Sequence, residues 1–184
     1  MTQIKKWQIL QSHWVINQQW CRVRQDKIKL PSGDIINDFF VNVRPDIALV
    51  LPITNSEEIV FVRQYRHGIQ EILLELPAGT FYRDQESGES AAKRELLEET
   101  GYISDQLIPL AILHDNPVKD TNQIHLFLAK NLQPSQQTNL DITEEIEVVL
   151  IPISEVMNKI RQGEICVCGS LTAIFLGLDY LQNQ

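Results

Sequence analysis

Residues 94 to 101 read Arg-Glu-Leu-Leu-Glu-Glu-Thr-Gly, and this stretch carries the strongest structural signal in the chain. Its acidic residues Glu95, Glu98 and Glu99 stand three and four positions apart. Because successive helical residues turn by about 100°, Glu98 lies roughly 60° to one side of Glu95 and Glu99 roughly 40° to the other. Such a cluster repels itself unless a cation binds it. The spacing therefore predicts an oxygen-rich site for a hard divalent cation.

A solvated acidic face is the plain alternative, because Arg94 stands one turn before Glu98 and could pair with it. The flanking residues favour an ordered loop–helix–loop structure instead. Upstream, Leu76-Pro77-Ala78-Gly79 predicts a turn after a strand, and Ser87 predicts the start of a helix. Downstream, Gly101 suits the left-handed conformation that ends a helix. These signals predict a loop–helix–loop unit that presents one helical face.

With these residues, the segment resembles the sequence box of the Nudix hydrolase family. That box runs Gly, five residues, Glu, seven residues, Arg-Glu-apolar-x-Glu-Glu-x-Gly-apolar. The chain departs from it in one spacing, because six residues rather than five separate Gly79 from Glu86, and Tyr102 is bulkier than the usual aliphatic residue. The resemblance covers the chain from Asp46 to the C-terminus. The matching positions are Gly79, Glu86, Arg94, Glu95, Leu96, Glu98, Glu99, Gly101 and Tyr102.

The resemblance implies a metal site on the predicted helix. Glu95, Glu98 and Glu99 are expected to bind Mg²⁺, with Mn²⁺ able to substitute, and Glu98 is also expected to act in catalysis. Ala78 is expected to offer its backbone carbonyl to a metal ion. Oxygen donors of this kind suit Mg²⁺ bound together with substrate phosphates.

Hydrolysis also needs a group that activates a water molecule. In the branch that this chain resembles, a Glu on a late loop takes this role or binds a further metal ion. The acidic run from Asp141 to Glu147 occupies that place here. Glu144 is the first candidate for the base and Glu145 is the second. An acidic loop with no part in the reaction remains an open alternative, because loops accept acidic residues freely.

Residues before the box resemble the ADP-ribose pyrophosphatase branch of the family. Residues 62 to 67 read Val-Arg-Gln-Tyr-Arg-His, and the second arginine of such a segment contacts a substrate phosphate in that branch. This implies that Arg66 binds phosphate, for which a forked guanidinium is well suited, with Arg63 as the weaker candidate. A surface arginine at a strand end is the plain alternative. Glu75 is expected close to the metal or the substrate.

A proline after the box is a second marker of the branch, and Pro117 stands there. Val118 replaces the glycine that often follows, and residues 121 to 123 differ from the commoner Ser-x-Glu motif. This loop lies near the terminal sugar in the family, so the departures leave the identity of the sugar open. Arg44, Phe40 and Pro117 complete the predicted substrate-binding residues.

The predicted function is metal-dependent hydrolysis of the diphosphate bond of a nucleoside diphosphate sugar, first of all ADP-ribose to AMP and ribose 5-phosphate. One alternative is a Nudix hydrolase for another nucleotide sugar, such as a GDP-sugar, or for another nucleoside diphosphate derivative. A second is a Nudix-fold ligand sensor without catalysis. The sensor fits less well, because Glu95, Glu98 and Glu99 are all present and no helix-turn-helix segment is evident.

Apolar strands interleaved with few helices predict an α/β or α+β sandwich. The resemblance specifies this fold as the Nudix α/β/α sandwich with a mixed sheet, over residues 46 to 184. An antiparallel β extension is predicted over residues 1 to 45. A helix is expected from Ser154, as its cap, to Gln162 with Gly163 as its stop, and another from Ser170 to Leu181. The other strands are expected at Ile47–Leu51, Ile59–Tyr65, Ile72–Leu76, Ile124–Leu128 and Ile146–Ile151.

The N-terminal extension is expected to mediate a homodimer, because in the resembling branch it exchanges between subunits and completes the partner's site. Aromatic residues in it could stack on adenine, with plain hydrophobic packing as the alternative. The aromatic candidates are Trp7, Trp14, Trp20, Phe39 and Phe40.

Composition narrows the other classes of function. The net charge of −8 argues against general nucleic-acid binding, which needs a basic surface. No apolar run is long enough for a membrane helix, and the N-terminus lacks the apolar core of a signal peptide, so a cytoplasmic protein is expected. Three cysteines do not suggest a disulfide framework, and packed thiols near a helix start are expected for Cys166 and Cys168.

Overall fold

The computed structural model describes residues 3–135 and 145–183. The chain divides into two compact units. The first unit comprises Met1–Pro45 and His114–Asn122, and the second comprises Asp46–Leu113 and Gln123–Gln184. Among the helices in the described ranges, none is long and apolar enough to span a membrane.

The first unit is built on a three-stranded antiparallel sheet in the order β1-β2-β3. The turn between the second and third strands contains Gly33, whose φ of 100° is a conformation that favours glycine. The segment after residue 114 joins this sheet, since the amide of Asn42 donates to the Asp120 carboxylate over 2.7 Å. The strands are β1 (Gln8–Gln18), β2 (Cys21–Lys29) and β3 (Ile35–Asn42).

The second unit contains a mixed four-stranded sheet in the order β7-β4-β10-β9. Its central pair, β4 and β10, runs parallel, and the outer pairs run antiparallel. An antiparallel sheet in the order β12-β5-β6 and a short β11-β8 pair complete the strands. Their bounds are β4 (Asp46–Pro52), β5 (Glu58–Arg66), β6 (Glu71–Glu75), β7 (Ala78–Phe81), β8 (Tyr102–Ile103), β9 (Gln106–Leu113), β10 (Ile124–Lys130), β11 (Gln133–Pro134) and β12 (Ile146–Pro152).

Within the described residues, three helices cover the two faces of these strands: α1 (Gly88–Thr100), α2 (Ile153–Arg161) and α3 (Cys168–Gln182). Successive strand residues point to opposite faces, so β4 contributes to two separate apolar clusters. Ala48 and Val50 pack with residues of α1, whereas Leu49 and Leu51 pack with residues of α2 and α3. Strands between two helical layers form an α/β/α sandwich, and the predicted fold class is confirmed.

Three local predictions differ from the structure. Ser154 is not the cap of α2, because Pro152 occupies that position without a side-chain bond and the helix begins directly after β12. The backbone N–H of Ile153 donates instead to the carbonyl of Glu57 over 3.0 Å. Helix α3 starts two residues before Ser170, at Cys168. The thiols of Cys166 and Cys168 are exposed rather than packed.

Strand β9 is not among the predicted strands, and it contains Pro109. A proline cannot donate to the ladder, so an internal proline argues against a strand. Here β9 is the outer strand of its sheet, and its register against β10 shifts between the pairs Leu126–Ala111 and Phe127–Pro109. The irregular pairing and the edge position accommodate the proline.

A buried carboxylate, Asp46, joins three segments of the second unit. Arg83 donates to it from Nε and, over 2.8 Å, from Nη2, and the backbone N–H of Gln123 donates over 2.8 Å. His125 Nε2 lies 3.4 Å away. Burial by itself would raise the pKa of Asp46, but the hydrogen bonds from Arg83 and Gln123 outweigh burial and hold the pKa below its usual value. The ionised carboxylate therefore stabilises the folded state.

We expect Asp46→Asn to lower the free energy of unfolding at pH 7 by about 1.5–3 kcal/mol, the range for hydrogen bonds to charged groups. A depressed folded-state pKa adds stability above the unfolded-state pKa, and this stability is lost as pH falls through the folded-state pKa. The difference between variant and wild type should therefore shrink below about pH 4. Urea unfolding at pH 7 and pH 3 measures it, with the exposed Asp105→Asn as control. A difference that is equal at both pH values would contradict this role.

Candidate active site

Helix α1 begins and ends where the sequence predicts. The side chain of Ser87 caps its start by accepting the N–H of Ser90 over 3.1 Å. At its end Gly101 has a φ of 71°, and its N–H donates to the carbonyl of Leu97. The helix is therefore fixed at both ends by local contacts.

The three predicted carboxylates lie on the helix with different exposure. Glu95 and Glu99 are buried, with 7% and 4% of their surface exposed, and Glu98 is partly exposed. Glu95 and Glu99 share the buried side of the helix with Ala91, Ala92 and Leu96. Two buried carboxylates one turn apart are costly unless cations or hydrogen bonds compensate them. This placement favours the predicted site over a solvated acidic face.

Arg94 organises this acidic cluster. Its guanidinium donates to Glu86 over 2.9 Å, to Glu95 over 2.5 Å and to Glu98 over 3.0 Å. Burial by itself would lower the pKa of Arg94, but the bonds to these carboxylates raise it above its usual range, so the side chain stays charged. One positive charge cannot neutralise three carboxylates. Glu86 reaches Arg94 despite the extra residue in the loop that precedes it.

The predicted turn at residues 76 to 79 packs directly against these carboxylates. Within it, Leu76 and Pro77 link β6 to β7, and Ala78 and Gly79 are already the first residues of β7. The N–H of Ala78 donates to Oε2 of Glu99 over 2.9 Å. Gly79 faces Glu95 so closely that an added Cβ would overlap the Glu95 carboxylate. Only glycine therefore fits at position 79 with Glu95 where it stands.

The same turn is also held from α3, by a residue that the sequence predicts only as a helix start. The fully buried Ser170 accepts the N–H of Leu76 at its Oγ over 3.0 Å. The two residues are 94 positions apart in the chain. No short-range pattern marks Ser170, because its partner is known only once the chain has folded.

The oxygen atoms that these residues offer are chemically suited to a divalent metal ion. As the side chains stand, no group of three His, Cys, Asp or Glu side chains is placed to hold a metal ion within residues 3–135 and 145–183. The guanidinium of Arg94 contacts Glu95 and Glu98 instead. Buried carboxylates beside a glycine turn are nonetheless the oxygen donors that hard cations prefer. The contacts of Arg94 with Glu95 and Glu98 are those that metal binding would compete with.

The predicted phosphate ligand Arg66 lies at the end of β5, paired with Glu75. Its Nε donates to Oε2 of the buried Glu75 over 2.9 Å, and its Nη2 contacts the same oxygen. Arg63 lies on the opposite face of β5 and pairs with Glu147 over 2.6 Å, with both side chains exposed. The structure thus joins Arg66 with Glu75 and separates Arg63 from them. Glu145 is exposed just before β12, and Glu144 lies outside the described residues.

The remaining candidates belong to the first unit. Arg44 pairs with Asp120 over 3.1 Å, and Pro117 and Phe40 are exposed. The ring of Phe39 already packs against two neighbours. The Trp7 ring lies edge-on to it, with 5.7 Å between the ring centres, and the ammonium of Lys119 lies 4.2 Å from the centre of the Phe39 ring. Among the aromatic candidates, Trp7, Trp14, Trp20 and Phe40 expose much of their surface and Phe39 does not.

Two family descriptions match this chain. The NUDIX domain matches residues 43–165, and the nucleoside diphosphate sugar hydrolase N-terminal domain matches residues 7–42. Because the first match covers more than half of the chain, the protein belongs to the NUDIX domain family, and the predicted family is confirmed. Hydrolases of this family generally need a divalent metal ion.

Individual relatives agree with this membership. The methanol dehydrogenase activator of Bacillus methanolicus is 30% identical over 164 residues, which are 89% of this chain and 85% of that protein. The ADP-ribose pyrophosphatase of Bacillus subtilis (strain 168) is 28% identical over 158 residues, 85% of this chain and 82% of that protein. A crystal structure of an ADP compounds hydrolase has the same fold, with a TM-score of 0.88 at 22% identity, and covers 100% of this chain and 98% of that one.

We expect Ser170→Ala to destabilise the protein by about 1–3 kcal/mol, because it removes the acceptor of a buried backbone N–H. Thr172→Ala is the matched control, since its hydroxyl bonds only within α3, to the carbonyl of Cys168 over 2.8 Å. Urea unfolding of the two variants gives the comparison. Equal unfolding midpoints would show that the Leu76 bond does not stabilise the turn.

Proposed function

We propose that the protein hydrolyses the diphosphate bond of a nucleoside diphosphate sugar, with ADP-ribose as the first candidate substrate. The observation that carries the proposal is the pair of buried carboxylates, Glu95 and Glu99, packed against the Ala78-Gly79 turn in a NUDIX chain. A relative that bears the name ADP-ribose pyrophosphatase supports the choice of substrate. The products would be AMP and ribose 5-phosphate.

In the proposed mechanism, α1 and the turn hold the cation. Glu95, Glu98, Glu99 and the carbonyl of Ala78 would bind Mg²⁺, or Mn²⁺ in its place, which offsets the negative charge of the diphosphate. Before the cation binds, Arg94 would orient Glu95 and Glu98 through its charged hydrogen bonds, and the cation would then compete with Arg94 for both carboxylates.

The remaining groups act on the substrate and on water. Arg66, held by Glu75, would bind a phosphate oxygen. Glu144 or Glu145 would take a proton from the water that attacks one phosphorus. The new bond joins the water oxygen to that phosphorus, and the bond from the same phosphorus to the bridging oxygen breaks. The bridging oxygen stays with the departing phosphate.

A substrate panel tests the activity itself. Purified protein would be incubated with Mg²⁺ or Mn²⁺ and ADP-ribose, ADP-glucose, GDP-mannose, NADH, diadenosine polyphosphates or nucleoside triphosphates, and a phosphatase would release phosphate from the monoester products. Preference for ADP-ribose supports the proposal, and preference for another diphosphate redirects attention to residues 116 to 123. Silence with both metals would favour a ligand sensor.

We expect Glu99→Gln to lower kcat for ADP-ribose by more than about a hundredfold, because losing even an outer partner of a metal ligand costs about 10–100-fold. Glu89→Gln is the matched control on the same helix, since Glu89 is exposed and pairs only along the helix surface with Lys93. Circular dichroism would check that both variants fold. Full activity of Glu99→Gln would refute the assigned site.

The first unit supports a further part of the proposal, a homodimer formed through residues 1 to 45, with residues 46 to 184 as the catalytic domain. Every residue of β1 is exposed, and β1 is the outer strand of its sheet. Trp14 is 49% and Trp20 84% exposed. A long, exposed and apolar edge strand is a surface that proteins normally cover. A second copy of the chain would cover it.

Light scattering at micromolar concentration should therefore give twice the chain mass of 21.2 kDa. Trp14→Asp should shift the protein towards the monomer, because it places a charge in the proposed interface. Gln11→Asp, a charge at a polar position of the same strand, controls for a general effect of charge. A monomeric mass for the wild type would contradict the dimer.

A further inference from the structure

We propose that Gln64 is a further substrate-binding residue, whose side-chain amide donates a hydrogen bond to a diphosphate oxygen. The inference rests on the proposed function, because it names another partner for the substrate in the same site. Only 7% of the surface of Gln64 is exposed. Its Nε2 atom is buried and has no hydrogen-bond partner in the described part of the chain.

The position of Gln64 in β5 places it on the face that α1 covers. Alternate residues of a strand share a face, so Gln64 lies on the same face as Val60, Val62 and Arg66. Val60 belongs to the apolar cluster that contains Ala91, Ala92 and Leu96 of α1. The amide therefore points to the side of the sheet that carries Glu95 and Glu99.

The pairing of β5 with β6 places Gln64 beside the predicted phosphate ligand. Val62 is opposite Glu75, and Gln64 is opposite Leu73, so Gln64 and Glu75 are diagonal neighbours on one face. Diagonal neighbours in an antiparallel pair are about 7–8 Å apart, within reach of long side chains. Glu75 holds the guanidinium of Arg66. Gln64 is therefore a neighbour of the residue whose carboxylate binds Arg66.

A buried donor without an acceptor destabilises a fold, and an apolar residue would avoid this cost. The neighbouring positions on this face, Val60 and Val62, are apolar and fully buried. A diphosphate presents many acceptor oxygens, which complement an amide N–H. The amide is also neutral, so it adds directional recognition beside Arg66 without repelling that cation.

Gln64→Met tests the inference, since methionine has a similar length and no donor. We expect the KM for ADP-ribose to rise about tenfold or more, the loss typical of a hydrogen bond to a charged group. The melting temperature of the ligand-free variant should stay equal or rise, because the buried donor is gone. Gln106→Met, at an exposed glutamine of β9, should change neither quantity.

The outcomes separate binding from packing. A raised KM with an equal or higher melting temperature supports the inference, and Gln64→Leu should repeat this pattern. An unchanged KM overturns it. A raised KM with a lower melting temperature in both variants also overturns it, because it assigns Gln64 to the packing of the core.

A failure of the proposed function would be visible in the wild type, which would not hydrolyse ADP-ribose. Stabilisation by ADP would then be the probe, because ADP carries the same diphosphate. Loss of the ADP-induced rise in melting temperature in Gln64→Met would support the inference. Equal rises in wild type and variant, or no rise in the wild type, would overturn it.

Discussion

The packing of one acidic helix face against a glycine turn is the constraint on which the rest of the second unit depends. Glu99 accepts the N–H of Ala78, and Glu95 lies so close to Gly79 that an added Cβ would overlap its carboxylate where it stands. Buried carboxylates are unfavourable by themselves, so this arrangement persists only because neighbouring groups fix and compensate them. The turn is held in place from the other layer by Ser170 of α3. The site therefore joins both helical layers through the sheet.

Ion pairs and apolar packing have different roles in this unit. Two apolar clusters, one under α1 and one under α2 and α3, provide the favourable burial that holds the layers together. The ionic groups lie at the ends of strands and on α1, where partly exposed arginines pair with buried acids. Arg94 with its carboxylates, and Arg66 with Glu75, are each arranged around a buried acid. The orientation of these acids is thus fixed before any ligand binds.

Short-range patterns predict the parts of the structure that depend on neighbours in sequence. Ser87 caps α1 and Gly101 ends it because both effects act within one helical turn. The same logic fails at Ser154, where a backbone bond between Ile153 and the distant Glu57 replaces a side-chain cap. It fails again at Pro109, because whether a proline is tolerated depends on the edge position of its strand, which is a property of the whole sheet.

The family, the fold class and the helix with its three carboxylates could be read from the chain alone, since helical periodicity places Glu95, Glu98 and Glu99 together whatever surrounds them. Tertiary structure decided which of them are buried and what each contacts. It also decided the partners of Leu76 and Arg66, and it left the buried Nε2 of Gln64 without an acceptor among the residues that the structure describes. These features depend on strand register and on contacts between residues far apart in the chain, which no local pattern encodes.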